Sequence, residues 1–195
     1  PAPLYSYLSP KNNASPRTMD MTSYTFVKKC GVCHPGGGPL EFDRAGKRYD
    51  AFMADAGNDI VSGANKIFDG DYFKANWVKS GVAEADCLMC HLPSYNYSKR
   101  AGQIQQLNFK WAATVGAGFA KIVGAVAEGK TPAVRYNTDM FLPDGRVELS
   151  IIKHPRNGAC LSCHAQPGVK KRGANFSART DVHIRAGLKC VDCHT

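Results

Sequence analysis

The eight cysteines of this chain restrict its fold more than any other feature. All of them fall into one pattern, Cys-x-x-Cys-His, which occurs four times along the 195 residues. The copies are Cys30–His34, Cys87–His91, Cys160–His164 and Cys190–His194, called motifs 1 to 4 below. With six histidines in the chain, a His in this slot in all four copies has odds of roughly one in a million by chance. The four copies therefore share one chemistry.

That chemistry is predicted to be covalent attachment of haem. Two cysteines three positions apart can form thioethers with the two vinyl groups of a porphyrin, and the following His can ligate the iron. Zinc knuckles and redox-active dithiols are the alternatives, but neither gives a reason for the adjacent His in every copy. We expect four haem c groups. The predicted attachment residues are Cys30, Cys33, Cys87, Cys90, Cys160, Cys163, Cys190 and Cys193, and the predicted proximal ligands are His34, His91, His164 and His194.

Two histidines remain outside the motifs. His154 lies six residues before Cys160, and His183 lies seven residues before Cys190. Since no other His exists to complete the iron coordination, we predict that both are distal ligands. A His so near its own motif cannot easily reach the far face of that haem, so each is expected to ligate a neighbouring haem.

Counting ligands leaves two axial positions without a His. They can be filled by Lys, by the Pro1 amine, by a residue of another chain, or by nothing. Methionine can also fill them, and the free candidates are Met19, Met21, Met53 and Met140. We favour another chain for at least one haem, because His194 is the penultimate residue. The ends of the sequence suggest a cleaved or trimmed chain, or one that a neighbouring molecule completes.

The formal net charge of +9 would ordinarily suggest nucleic acid or an anionic membrane as a partner. Haem propionates change this expectation, because four bis-ligated ferric haems would lower the charge by about 4. Many Lys and Arg side chains are then expected to pair with propionates. We expect no nucleic acid partner.

Hydrophobic periodicity predicts one amphipathic helix over about residues 101–128. Its apolar stripe consists of Ile104, Leu107, Trp111, Val115, Phe119, Ile122 and Val126. The apolar run inside it is short for a bilayer and rich in Ala and Gly, so we do not expect a membrane span. Alternating residues in Ala133–Phe141 and Arg146–Ile152 predict a hairpin that turns at Asp144 and Gly145.

The expected fold is a multihaem cytochrome c, mostly irregular, with several short helices around closely packed haems. About 49 residues per haem means that porphyrins must supply much of the interior. We expect one domain over residues 1–195. Its lobes are predicted at about 1–99, with haems 1 and 2, and 129–195, with haems 3 and 4, joined by the helix at about 101–128.

The motifs make the chain resemble the multihaem c-type cytochromes. Three segments, Cys33–Pro39, Phe42–Tyr49 and Asp181–His194, are similar to large cytochromes of metal- and sulfur-respiring prokaryotes. These include relatives of octahaem tetrathionate reductase and tetrahaem cytochromes that polymerise into extracellular wires. The resemblance implies haem attachment outside the cytoplasm and hence a periplasmic or extracellular protein.

Electron transfer is the function we predict, with redox proteins as partners and with an oligomer or larger cytochrome assembly in which haem ligands can be shared between chains. The alternative is a multihaem reductase with an open haem site for a nitrogen or sulfur oxyanion. No Cys-x-x-Cys-Lys variant occurs, which removes one catalytic haem signature. We therefore expect an electron carrier rather than an enzyme.

Overall fold

A computed structural model describes residues 24–42, 46–51, 76–165 and 177–194. The α-helices in these ranges are α1 Tyr24–Cys30, α2 Trp77–Ser80, α3 Leu88–His91, α4 Tyr97–Gln105, α5 Ala112–Gly116, α6 Asn157–His164 and α7 Val182–Arg185. The strands are β1 Ala120–Val123 and β2 Ala133–Tyr136. Short 3-10 turns lie at Gly38–Leu40, Phe109–Trp111, Val126–Glu128, Thr138–Met140 and Cys190–Asp192.

The larger core joins residues from well-separated parts of the chain. Tyr49 stacks on Trp77 with ring centroids 4.6 Å apart, and Trp77 also meets Phe109 at 6.1 Å. The buried members are Phe26, Val27, Leu40, Tyr49, Trp77, Val82, Ala83, Ile104, Phe109 and Ala112. Cys30 packs against the edge of this core. Motif 1 is thereby anchored to a packed interior.

A smaller core lies beside motif 2. Its buried members are Met89, Leu92, Tyr95 and Ala117, and the partly buried Cys163 of motif 3 packs against it. A Cβ at Gly116 would overlap the phenol of Tyr95, so only glycine lets helix α5 approach this ring so closely. This second core places motif 3 next to motif 2.

The loop after motif 1 is fastened to the segment before motif 2. The backbone N–H of Gly37 donates to the oxygen of Ala83 at 2.9 Å, and that of Asp86 donates to the oxygen of Pro35 at 2.6 Å. Gly36 has a φ of +87°, and a Cβ there would collide with the backbone oxygen of Glu84. Glycine is required at this position both for its conformation and for the close approach.

The continuous helix predicted over about 101–128 does not form. Helix α4 ends at Gln105, and Leu107 has a φ of +61°, which no helix accommodates. The side chain of Asn108 then replaces helical hydrogen bonds with distant ones: it donates to the oxygen of Gly124 and accepts from the N–H of Val126, each at 3.1 Å. Asparagine competes in this way with helical hydrogen bonding, and here it turns the chain back on itself.

The predicted hairpin is also wrong in its pairing. Strand β2 pairs antiparallel with β1, with Ala120 opposite Tyr136, so Ala133–Tyr136 is not available to Arg146–Ile152. The turn at Asp144 and Gly145 does form, since the N–H of Gly145 donates to the oxygen of Leu142 at 2.8 Å. Residues 146–152 are not a strand. The turn signal was local and correct, whereas the strand pairing was decided elsewhere in the chain.

Beyond Ala125 the described residues are much less buried. In the described ranges 126–165 and 177–194, no residue is fully buried. Ile151 is 58% exposed and Val182 is 66% exposed. None of the helices in the described ranges has the length and apolar character that crossing a membrane requires. The two predicted lobes and the multihaem packing stay predictions.

Candidate haem-binding site

The four motifs share one backbone conformation. In each, the chain makes a helical turn that carries the two cysteines and the histidine together. Motif 3 lies within helix α6. In the other three, the histidine N–H donates to the oxygen of the first cysteine: His34 to Cys30 at 2.9 Å, His91 to Cys87 at 3.1 Å and His194 to Cys190 at 3.0 Å. Residues three and four apart on a helical turn share one face, so both thiols and the imidazole are presented on the same side.

All eight predicted attachment cysteines are free of disulfide bonds. Several of these thiols also lie close to other motifs. The thiol of Cys163 lies 3.6 Å from the backbone oxygen of Cys33, which joins motif 3 to motif 1. Motif 3 thus contacts both the turn of motif 1 and the core beside motif 2.

Electrostatic effects between thiols extend this pattern. Burial, with the neighbouring Cys33, raises the pKa of Cys163 to about 12, and burial raises the pKa of Cys30 to about 11. Burial also raises the pKa of Cys160, and the nearby thiol of Cys190 raises it further. Motif 3 therefore lies beside motif 4 as well.

His91 has the hydrogen bond that a ligating histidine needs. Its Nδ1 lies 2.8 Å from the backbone oxygen of Ile152, and the Ile152 N–H donates back to the oxygen of His91 at 2.9 Å. An N–H at Nδ1 leaves Nε2 as the free donor for a metal and fixes the ring orientation. His91 is half-buried, whereas His34, His164 and His194 are exposed.

A cavity of about 240 Å³ adjoins motifs 2 and 3. It is lined by Cys90, Leu92, Pro93, Tyr97, Ile152, Arg156, Gly158 and Ala159. Pockets that enclose whole small ligands usually measure about 300–1,000 Å³. The apolar walls and the single Arg156 guanidinium would suit one edge of a porphyrin and a propionate. The residues around this cavity therefore fit one edge of a haem.

The two predicted distal ligands are both exposed and lie in the second half of the chain. His183 is on helix α7, and its Nδ1 lies 3.5 Å from a carboxylate oxygen of Asp181. Asp181 caps the same helix, because its side chain accepts from the N–H groups of His183 and Ile184 at 2.9 and 3.1 Å. These hydrogen bonds, chiefly that from Ile184, lower the pKa of Asp181. Ligation by either histidine stays a prediction.

Of the four methionine candidates, Met140 is half-buried at the end of a 3-10 turn. Pro1, Met19, Met21 and Met53 lie outside the described residues. Within the described ranges, no group of three or more His, Cys, Asp or Glu converges as a metal site would require. The zinc alternative gains no support from this geometry.

Sequence reasoning missed the residues that support the motifs. The side chain of Asn157, at the start of helix α6, accepts from the N–H of Cys190 at 2.8 Å and so joins motif 4 to the helix of motif 3. Asp86 caps motif 2 by accepting from the N–H of Met89 at 3.2 Å. Its place directly before Cys87 was the one local signal available. Nothing in the sequence marked Arg100, which contacts motif 1 from 66 residues away.

Comparison with known proteins supports the class that the motifs indicate. A family model described as cytochrome c554 and c-prime matches residues 143–195, the region of motifs 3 and 4. An uncharacterized protein of Archaeoglobus fulgidus is 35% identical over 72 residues, which cover 31% of this chain and 24% of that protein. The chain thus spans about a quarter of that relative. No solved structure matches the chain significantly. The family match supports a c-type cytochrome, a class that binds haem c, transfers electrons and is typically extracytoplasmic.

Proposed function

We propose that this chain transfers electrons outside the cytoplasm through four covalently attached c-type haems. The observation that carries the proposal is the common helical turn in all four motifs, which presents two thiols and one imidazole on the same side. Four repeats of this arrangement match four attachment sites. The family match over residues 143–195 supports the class independently of the geometry.

Each motif would hold its haem through two thioethers and one histidine. Haem supplies one-electron chemistry when it is bound. The chain's own residues hold and orient the ligands: the oxygen of Ile152 accepts from Nδ1 of His91, and Asp86 and Asn157 fix the backbones of motifs 2 and 4. Hydrogen bonds of this kind keep a ligand in place while the charge on the metal changes.

The proximity of the motifs favours short paths between the cofactors. Motif 3 approaches motif 1 through Cys163 and Cys33, and it lies beside motif 4 through Cys160 and Cys190. Its thiols also lie near Cys90 of motif 2. We infer that the haem on motif 3 is central among the four.

The assembly that we propose follows from the ligand count. His154 and His183 can complete at most two irons, and we expect a second chain to supply a ligand for at least one other haem. The exposed apolar side chains of the second half, such as Ile151 and Val182, are consistent with a surface that haem or a neighbouring chain covers. The test is the ligand set of each iron in the assembled and in the dilute, dissociated protein. If every iron keeps two ligands from its own chain at high dilution, ligands are not shared between chains.

Haem attachment itself is tested by denaturing electrophoresis with a peroxidase stain and by intact mass. The chain produced with a cytochrome maturation system should keep four haems after denaturation. The double variant Cys190→Ala/Cys193→Ala should lose the mass of one haem and keep three. A wild-type mass equal to that of the bare polypeptide would rule the proposal out.

Binding of carbon monoxide decides between the carrier and the reductase. Because the histidines of the chain are too few for eight axial positions, an open iron is the specific feature that would favour an oxyanion reductase. An electron carrier with six-coordinate irons should show no change in its ferrous spectrum under carbon monoxide. A change in the ferrous absorption of one haem under carbon monoxide would favour the reductase.

A further inference from the structure

Arg100 is a charged side chain enclosed in the protein interior. It lies on helix α4 and is 1% exposed. One terminal nitrogen of its guanidinium donates to the backbone oxygen of Gly31, and the other donates to the backbone oxygen of His34 at 3.1 Å. Both oxygens belong to motif 1, so Arg100 caps the turn that carries the first predicted proximal ligand.

The opposite side of the guanidinium faces motif 2. The Nε of Arg100 lies 3.5 Å from a carboxylate oxygen of Asp86, whose side chain is equally buried. This nitrogen forms an ion pair without a hydrogen bond, and the same carboxylate oxygen accepts from the hydroxyl of Tyr95. The other carboxylate oxygen accepts from the N–H of Met89, within motif 2. The ion pair therefore connects the turns of motifs 1 and 2.

The same guanidinium lies close to motif 3. Its positive charge lowers the pKa of Cys163, against the larger effect of burial, which raises it. Cys163 in turn contacts the backbone of Cys33. One buried cation is thus placed where motifs 1, 2 and 3 meet.

Stability alone gives little reason to bury this pair. Removing two charges from water is costly, and apolar residues of similar volume often serve a protein core as well as a buried ion pair does. A fixed charge beside a redox centre has a second effect. Ferric haem carries one more positive charge than ferrous haem, so a nearby buried cation favours the ferrous state and a nearby anion favours the ferric state.

We propose that Arg100 is a positioning residue that holds motif 1 against motif 2 and, together with Asp86, sets the reduction potentials of the haems attached there. This inference rests on the proposed haem function. The guanidinium fixes the turn of motif 1 through hydrogen bonds to the backbone oxygens of Gly31 and His34, and it raises the potential of the adjacent haem. Asp86 opposes part of that effect and orients the guanidinium.

The test compares charge-changing and charge-preserving variants of the haem-loaded protein by spectroelectrochemical titration. Arg100→Met should shift the reduction equilibrium of at least one haem on the order of tenfold toward the ferric state. Asp86→Asn should shift it in the opposite direction, because the cation is then unopposed. Tyr95→Phe removes a hydrogen bond without changing charge and should leave the potentials nearly unchanged. The control is Arg146→Met, which removes an exposed arginine.

Arg100→Lys separates charge from geometry. Lysine keeps the charge but cannot donate to two carbonyl oxygens in a fixed fork. We expect potentials near those of the wild type, with a change in the electron paramagnetic resonance signal of the haem on motif 1.

Opposite shifts in Arg100→Met and Asp86→Asn support the inference, since a purely structural defect would not reverse with the sign of the charge. Shifts in the same direction, or none, would overturn it. If Arg100→Met fails to fold, Asp86→Asn decides alone: a shift toward the ferrous state supports the inference, and no shift or the reverse contradicts it. A wild-type chain without haem would instead disprove the proposed function.

Discussion

Residues 24–125 and residues 126–194 each carry two of the four motifs, but among the described residues only the first region buries a core. Every buried hydrophobic residue in the described ranges lies at or before Ala125. There, Cys30 packs on the edge of the larger core, and Met89 is itself a core residue. In the second region, motif 4 is held by hydrogen bonds such as that from the Cys190 N–H to Asn157, and motif 3 packs through Cys163 against a core whose buried members belong to the first region. A chain segment that buries so little of its own surface needs a cofactor or a partner to become stable.

The largest effect is expected from removing haem attachment in one region at a time. A variant with alanine at Cys160, Cys163, Cys190 and Cys193 should lose protection from hydrogen exchange in residues 157–165 and 177–194. The matched variant with alanine at Cys30, Cys33, Cys87 and Cys90 should keep protected amides in the core around Trp77. The measurement is amide exchange followed by mass spectrometry. Equal loss of protection in both regions of both variants would contradict the comparison.

The next largest effect is expected from substitutions that compare the contribution of each region to the free energy of unfolding. Phe109 is buried in the larger core, so Phe109→Ala should lower the free energy of unfolding by about 3–5 kcal/mol. Leu188 is exposed, and Leu188→Ala should change it by less than about 0.5 kcal/mol when motifs 3 and 4 carry no haem. Urea denaturation of both variants in the background without these two attachment sites measures the difference. If both variants lower the free energy of unfolding by similar amounts, the second region packs independently.

Asn108 tests what ends helix α4. Asn108→Ala leaves the N–H of Val126 and the oxygen of Gly124 without their side-chain partner and should cost about 1–3 kcal/mol. Because Asn108 is fully buried, Asn108→Asp keeps an acceptor for Val126 but places a carboxylate against the oxygen of Gly124, so it should cost more than the alanine variant. Faster amide exchange should be confined to residues near Val126. An exposed residue of the same type, Asn137, supplies the control variant Asn137→Ala.

The smallest effect concerns alkaline pH and the buried network of the first region. Burial, followed by the hydrogen bond to Asp86, raises the pKa of Tyr95 well above its ordinary value. In the unfolded chain this phenol ionises near pH 10, while in the folded chain it stays protonated. The contribution of Tyr95 to stability is therefore present in full below about pH 10 and falls as the pH rises beyond it.

The Tyr95→Phe variant has no such loss, so its difference from the wild type in free energy of unfolding should shrink between pH 9 and pH 11. The exposed Tyr136, changed to Phe, is the control. If the difference in free energy of unfolding stays constant over this range, the pKa of Tyr95 is not raised by folding.

Local chemistry explains what could be predicted from the sequence. The helical turn of each motif is closed by hydrogen bonds between residues four apart, such as His34 to Cys30, so spacing alone was sufficient to predict how thiols and imidazole are presented. The turn at Asp144 and Gly145 formed for the same reason. The class of c-type cytochrome, predicted from the motifs, is supported by the family match. The number of haems and their ligands remain predictions.

The sequence by itself determined four equivalent helical turns that each carry two cysteines and a histidine, because each turn is complete within five neighbouring residues. Tertiary structure decided the rest through contacts between distant residues. Asn108 ended the predicted helix by bonding to residues 16 and 18 positions away, and β1 took the strand expected to pair with Arg146–Ile152. His91 and Ile152, 61 residues apart, and Arg100 and Gly31, 69 apart, meet only after the chain has packed. Periodicity describes one segment at a time, whereas these contacts depend on which segments come together in the folded chain.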